Sequence, residues 1–164
     1  TAERCELALV CEELGLKQQA LAHWKALVSR EDLTARDARD GAIALQRLRE
    51  FETAVLFLKR VPQAVWSTFS EEELVASGGL AQSYGEEDLA LGLFRAALQK
   101  APESGRVWLG VALYYYGMGN ESKAYECMRT AVQYGAAPLI EEDAAVADIF
   151  LRLMQRFAPR KGIR

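Results

Sequence analysis

The sequence predicts an all-α protein built from repeated antiparallel helix hairpins, and three recurring spacings carry this prediction. Small residues recur at intervals of 34, 36 and 34 positions, at Ala20, Ala54, Ala90 and Ala124. A large apolar residue follows each of them four positions later, at Trp24, Leu58, Phe94 and Met128. A further small residue precedes each alanine by twelve positions, at Ala8, Ala42, Gly78 and Ala112. Because residues three or four apart share one helical face, each copy is expected to form two helices that approach closely at their small residues.

A turn is expected between the two helices of each copy. Three copies carry a glycine there, Gly15, Gly85 and Gly119, and an apolar residue precedes each one. Glycine adopts the left-handed backbone conformation that ends a helix without steric cost. The second copy has Arg49 at this position, and we expect its turn to differ.

The pattern resembles the tetratricopeptide repeat, a motif of about 34 residues with Trp, Tyr, Ala and Pro at set offsets. Four copies are indicated, at residues 1–34, 35–70, 71–104 and 105–138. The last copy has the motif's residues at Trp108, Ala112, Tyr115, Ala124, Met128 and Ala131, whereas the first two lack the Trp and Pro landmarks. The resemblance implies a right-handed superhelical solenoid whose first helices line a concave groove. It specifies fold more than function, because the matched residues pack the hairpin.

Two connecting segments depart from the simple repeat. The extra residues of the second copy are expected between Pro62 and Phe69, where proline ends a helix, and Ser70 with Glu73 forms a capping box for the next helix. Residues 139–158 are expected to form one amphipathic helix that caps the stack. The basic tail, residues 159–164, is expected to be disordered. The chain begins without Met and in helical register, which predicts a piece of a longer protein.

The composition is that of a folded chain and disfavours two classes of partner. Hydrophobic residues make up 51% of the sequence and charged residues 26%, a globular balance. The net charge of −3 gives no overall attraction to nucleic acid, and no apolar run is long enough for a membrane span. The three cysteines lack CxxC spacing, which argues against a disulfide framework. The compartment is left open between the cytoplasm and the bacterial periplasm.

The resemblance also implies which side chains face a partner. The family's groove positions fall here on Arg36, Arg39, Ile43, Arg47, Gln82, Arg106, Leu109, Leu113 and Tyr116. Arg36, Arg39 and Arg47 share one helical face, where their guanidinium groups are able to grip a carboxylate-bearing segment. The interleaved acids Asp37 and Asp40 support the other interpretation, an ordinary solvated face with surface ion pairs.

Three consecutive tyrosines stand in the first helix of the last copy. Successive helical residues are about 100° apart, so the three rings cannot form one platform. We expect Tyr115 in the core, Tyr114 at the periphery and Tyr116 in the groove.

The sequence indicates no catalysis, metal or cofactor. The only histidine, His23, has no paired acid and no cysteine at ligand spacing. The leading hypothesis is a noncatalytic interaction or scaffolding module that holds a protein or peptide partner in its groove. By analogy with long arrays of this family, it is placed in a bacterial secretion or exopolysaccharide-export assembly. The alternative is a structural spacer or a self-association module, forming homo-oligomers through an end of the stack or through Trp66 and Phe69.

Overall fold

The computed structural model of the chain describes residues 1–158, and the regular structure of that part is helical throughout. The predicted basic tail, residues 159–164, lies outside the described residues. The described part contains ten α-helices in the order α1 Ala2–Glu13, α2 Lys17–Leu27, α3 Ala35–Arg47, α4 Phe51–Leu58, α5 Glu71–Ser83, α6 Glu87–Lys100, α7 Gly105–Gly117, α8 Glu121–Gln133, α9 Ala137–Glu142 and α10 Ala144–Phe157. No helix in the described part is both long enough and apolar enough to cross a membrane.

Helices that follow one another pack together as hairpins, α1 with α2, α3 with α4, and α7 with α8. The chain divides into two compact units, the first comprising Thr1–Leu93 and the second beginning at Phe94. The predicted all-α class of helix hairpins is therefore confirmed.

The residues that recur in the sequence form the cores of these units. The four recurring alanines are fully buried, at Ala20, Ala54, Ala90 and Ala124. The large apolar residues four positions later are at most 3% exposed, at Trp24, Leu58, Phe94 and Met128. Each alanine leaves room for a neighbouring helix, and each large side chain fills the space beside it, which stabilises the hairpin by removing apolar surface from water.

The turns between paired helices share one backbone conformation. Gly15, Gly85 and Gly119 have φ angles of 73°, 75° and 74°, as the sequence predicts. Arg49 has a φ of 63°, so the prediction that the second copy turns differently is wrong. The hairpin geometry imposes the left-handed conformation even on a residue that pays a steric cost for it.

Replacing Arg49 with glycine is expected to raise the free energy of unfolding by about 0.5–1 kcal/mol, because glycine removes the strain of the left-handed conformation. The reverse change, Gly119→Ala, should lower it by a similar amount. Urea unfolding of the two variants beside the parent measures both effects. A less stable Arg49→Gly protein would show that the contact of the Arg49 guanidinium with the Phe51 ring, 5.9 Å away, outweighs the strain.

The insertion in the second copy folds as a short 3-10 turn, Gln63–Thr68. The Trp66 ring packs so closely on α6 that a Cβ on Gly92 would lie 2.7 Å from it. Trp66 is 8% exposed and Phe69 is fully buried, so the interpretation of these two residues as contacts between copies is wrong. The predicted capping box is confirmed, since Ser70 accepts a hydrogen bond from the Glu73 backbone and donates its own backbone N–H to the Glu73 carboxylate.

The predicted single capping helix over residues 139–158 is wrong in one respect, because it is two helices, α9 and α10, separated at Asp143. The Asp143 carboxylate accepts hydrogen bonds from the backbone of Ala145 at 2.9 Å and of Val146 at 3.2 Å. A side chain that caps a new helix in this way competes with continuation of the preceding one. Leu153 of α10 is 1% exposed and joins the core around α8.

Candidate partner-binding surface

An open cleft lies between α3 and α5 in the first unit, and we call it the α3–α5 cleft. It has a volume of about 300 Å³. Its walls are formed by Ile43, Gln46, Arg47, Glu72, Glu73 and Ala76. Ile43 provides an apolar floor that is largely buried, and Ala76 is an exposed wall residue. The cleft thus combines an apolar seat with a charged rim, and two of the predicted groove residues, Ile43 and Arg47, contribute to it.

Gln46 is held firmly at the wall of the cleft. Its side-chain amide nitrogen donates hydrogen bonds to the Ala42 carbonyl oxygen at 3.2 Å and to Ser77 Oγ at 3.0 Å. Ser77 is fully buried, so this contact ties α3 to α5. Because the nitrogen is committed, Gln46 keeps its side-chain oxygen as an acceptor of fixed position.

Two of the predicted arginines pair with acids of the same chain. The Arg47 guanidinium lies 3.0 Å from the Glu12 carboxylate, and its side chain is 62% exposed. The Arg36 side chain is 88% exposed and lies 3.8 Å from Asp40. A partner carboxylate at either site therefore has to compete with an existing ion pair.

Arg39 makes contacts within the chain rather than forming part of an open binding surface. Its guanidinium lies 2.7 Å from Asp40 and 3.4 Å from Glu73, and its side chain is 24% exposed. It also donates a hydrogen bond to the Thr68 carbonyl oxygen at 3.1 Å and stacks over the Phe69 ring at 5.3 Å. These contacts tie α3 to the start of α5, so the structure does not bring the three arginines together as an open carboxylate grip.

Replacing Arg39 with methionine is expected to lower the free energy of unfolding by about 1–3 kcal/mol, because the Glu73 carboxylate loses this counter-ion and Asp40 keeps only the more distant Arg36. Arg36→Met is the matched control and should change it by less than about 0.5 kcal/mol, since an exposed ion pair contributes little. Equal urea midpoints for the two variants would contradict the structural role of Arg39.

The predicted groove residues of the second unit lie on α7, and one of the four is buried in its core. Leu109 is 8% exposed, and Leu113 and Tyr116 are half-buried against the same apolar cluster. Arg106 is exposed, but it has an interaction partner within the chain, as does the half-buried Gln82 of the first unit. Gln82 does not line the α3–α5 cleft. Their role in binding a partner stays a prediction.

The prediction for the tyrosine run is wrong for Tyr114, whereas Tyr115 packs against the core of the second unit. Tyr114 is the buried one, 6% exposed, with its ring 5.4 Å from that of Phe94. Tyr115 is half-buried, with the Lys123 ammonium 5.2 Å above its ring. Phe94 of α6 packs against the side of α7 on which Tyr114 lies. The sequence does not show that this contact between two helices extends far enough to bury Tyr114.

A second, more polar hollow of about 520 Å³ lies in the second unit, where α8 begins and α10 ends. An ion pair between Glu121 and Arg156 joins its sides, and the Phe157 ring stacks on Tyr125 at 5.7 Å. Sequence reasoning missed this hollow, because its residues are far apart in the chain and carry no motif.

The thiols of Cys5 and Cys127 are poorly suited to nucleophilic chemistry. Burial, with a further contribution from the Asp37 carboxylate, raises the pKa of Cys5 to about 11. Burial also raises the pKa of Cys127. Both thiols are therefore protonated at neutral pH. Among residues 1–158, no group of three or more His, Cys, Asp or Glu side chains is placed to hold a metal ion.

Together these observations define the class of the protein, an all-helical repeat protein of tetratricopeptide-like hairpins with an open cleft between two first helices. No protein-family model matches the chain, and no curated protein matches its sequence. Solved structures of MamA share its fold. The MamA MSR-1 C2 structure has a TM-score of 0.64 at 18% identity, over 80% of this chain and 74% of that one.

Two further MamA structures align over nearly the whole chain. MamA 41-end from Desulfovibrio magneticus RS-1 has a TM-score of 0.61 at 18% identity, over 98% of this chain and 97% of that one. MamA AMB-1 has a TM-score of 0.64 at 20% identity, over 96% of this chain and 78% of that one. At these identities the likeness is one of fold, and it supports the helical repeat architecture.

Proposed function

We propose that this chain is a noncatalytic protein-interaction module that binds a segment of a partner protein in the α3–α5 cleft. The observation that carries the proposal is the cleft itself, an apolar seat of about 300 Å³ left open between two neighbouring first helices. Stacked helical hairpins are typical of proteins that present extended surfaces to other proteins. The likeness to the MamA structures supports this architecture.

The walls of the cleft favour a peptide segment with an apolar anchor. An apolar side chain of the partner would displace water from Ile43 and Ala76, which is the favourable term in most protein associations. The fixed side-chain oxygen of Gln46 would accept a backbone N–H of the same segment. Arg47 at the rim would orient the segment more than hold it, because its pairing with Glu12 already satisfies part of its charge.

Filling the cleft tests the proposal. The Ala76→Arg variant places a long side chain in the cleft, whereas Ala26→Arg, at an exposed alanine of α2, makes the same change away from it. Each immobilised protein is exposed to a lysate of its source, and bound proteins are identified by mass spectrometry after circular dichroism has shown equal helix content. A protein captured by the parent and by Ala26→Arg, and lost with Ala76→Arg, supports the cleft. Equal capture by all three places recognition elsewhere.

A place in a bacterial secretion or export assembly gains no support from the MamA likeness and is not part of the proposal. Self-association remains the alternative, and sedimentation velocity over a range of protein concentrations tests it, because a module of this kind without self-contacts sediments as a monomer throughout.

A further inference from the structure

Gly79 lies in the interior of α5, and the described part of the chain gives no packing reason for a glycine there. A Cβ at this position would meet no atom within 4 Å apart from the adjacent turns of its own helix. Glycine loses more conformational entropy than alanine when a helix forms, so a glycine inside a helix lowers its stability. No contact among the described residues offsets this cost.

Two other helical glycines of the first unit are explained by close contacts. A Cβ at Gly41 would lie 2.6 Å from the Phe57 ring, and a Cβ at Gly92 would lie 2.7 Å from the Trp66 ring. At both positions a side chain of another element fills the space that alanine would need. At Gly79 that space is open, which allows a bound molecule to approach the helix backbone closely.

Gly79 continues the wall of the α3–α5 cleft along α5. It follows Glu72 by seven positions and Ala76 by three, so the three residues share one helical face. The two earlier residues line the cleft. Ser83 stands one turn beyond Gly79, and its hydroxyl donates a hydrogen bond to the Gly79 carbonyl oxygen at 2.9 Å. The side chain of Ser83 is therefore turned back onto its own helix, and the face stays low for about 10 Å beyond Glu72.

A helix fits this wall better than an extended segment does. The backbone groups of α5 are used in its own helical hydrogen bonds, and residues 1–158 contain no β-strand whose edge an extended segment could pair with. A helix satisfies its own backbone and leaves free N–H groups only in its first turn. One of these N–H groups matches the fixed side-chain oxygen of Gln46 on the opposite wall of the cleft.

We propose that the occupant of the α3–α5 cleft is an α-helix of a partner protein, which places an apolar side chain on Ile43 and packs its backbone closely against Gly79. The inference rests on the proposed function, because it specifies the kind of segment that the cleft binds. Gly79 sets how near the two helices lie, since the distance between packed helices depends on the side chains at their contact. It is therefore a specificity-determining residue for a helix with a small residue at the crossing point.

Selection from two displayed libraries tests the inference. One library consists of small helical bundles in which one exposed helix face is randomised. The other consists of short linear peptides with a central proline, which disfavours a helix. Both are selected on the immobilised intact chain after removal of the clones that bind the Ala76→Arg variant. Clones are expected to be enriched from the helical library and not from the linear one.

The purified helical clones are then titrated with variants of the chain. Gly79→Leu should weaken their binding by at least about tenfold, because the leucine side chain occupies the space through which the helix approaches. Ala26→Leu, at an exposed alanine of α2, is the matched control and should leave the affinity unchanged. Gly79→Ala should weaken binding while raising the urea midpoint of the chain, whereas a purely structural position would show only the higher midpoint.

The outcomes separate this inference from the cleft proposal. Clones that bind Gly79→Leu as tightly as the parent, and that Ala76→Arg does not bind, overturn the inference and leave the cleft proposal standing. Enrichment of linear clones alone also overturns it, because the occupant would then be extended. If neither library yields a clone that distinguishes the parent from Ala76→Arg, both the inference and the cleft proposal fail.

Discussion

Replacing Gly105 with alanine is expected to destabilise the second unit by about 3 kcal/mol, near the upper end of the effect of overpacking. A Cβ at this position would lie 2.6 Å from the Tyr134 carbonyl oxygen, 2.8 Å from the Ala136 nitrogen and 2.9 Å from the Ala131 carbonyl oxygen. These are backbone atoms of the last turn of α8 and of the segment that joins it to α9, and they are unable to rotate away as a side chain would. The first turn of α7 therefore has to move, and the packing of α7 on α8 is disturbed along the hairpin.

Urea unfolding followed by circular dichroism measures this effect. Gly79→Ala is the matched control, because Gly79 also lies in a helix and a Cβ there would meet nothing within 4 Å. That change should stabilise the chain by about 0.5–1 kcal/mol, the difference in helix propensity between alanine and glycine. If both variants unfold at the midpoint of the parent, the close approach at Gly105 is not a constraint on the fold.

Replacing Trp24 with alanine is expected to lower the free energy of unfolding by about 3–5 kcal/mol, the usual result of removing a large buried aromatic side chain. Trp24 is fully buried, and its ring meets that of Phe57 edge to face at 5.8 Å. It also packs on the backbone of Gly41. Since α2, α3 and α4 all lose contacts, the loss is a large fraction of the stability of an ordinary domain.

Thermal and urea unfolding measure the stability of Trp24→Ala and of the control variant Leu56→Ala. The comparison separates the effect of lost core packing from the effect of shortening a large side chain. Leu56 is 47% exposed on α4, and its truncation should cost less than about 1 kcal/mol. A Trp24→Ala protein that unfolds like Leu56→Ala would show that the first two hairpins do not share a core.

The α3–α5 cleft was only partly predictable from the sequence. Ile43 and Arg47 were identified through the family's groove positions, but Ala76, an exposed alanine, carries no chemical signal of its own. Arg39 was predicted to bind a partner together with Arg36 and Arg47, yet the structure pairs it with Asp40 and Glu73. The sequence shows that a charged residue lies on a helix face, but it does not show which residue of opposite charge will pair with it.

The sequence by itself determined the helices, the hairpins and three of their four turns. These features depend on residues three or four positions apart and on the backbone freedom of glycine, both of which are short-range properties. Only the tertiary structure decided the left-handed turn at Arg49, the burial of Tyr114 and the internal pairing of the arginines.

The deciding contacts in the cleft join residues far apart in the chain, as Arg39 and Glu73 do across 34 positions and Gln46 and Ser77 across 31. Such contacts follow from how one hairpin packs on the next. A repeat pattern implies that neighbouring hairpins pack against each other. The individual side chains at that interface then determine which polar groups pair within the chain and which remain able to bind a partner.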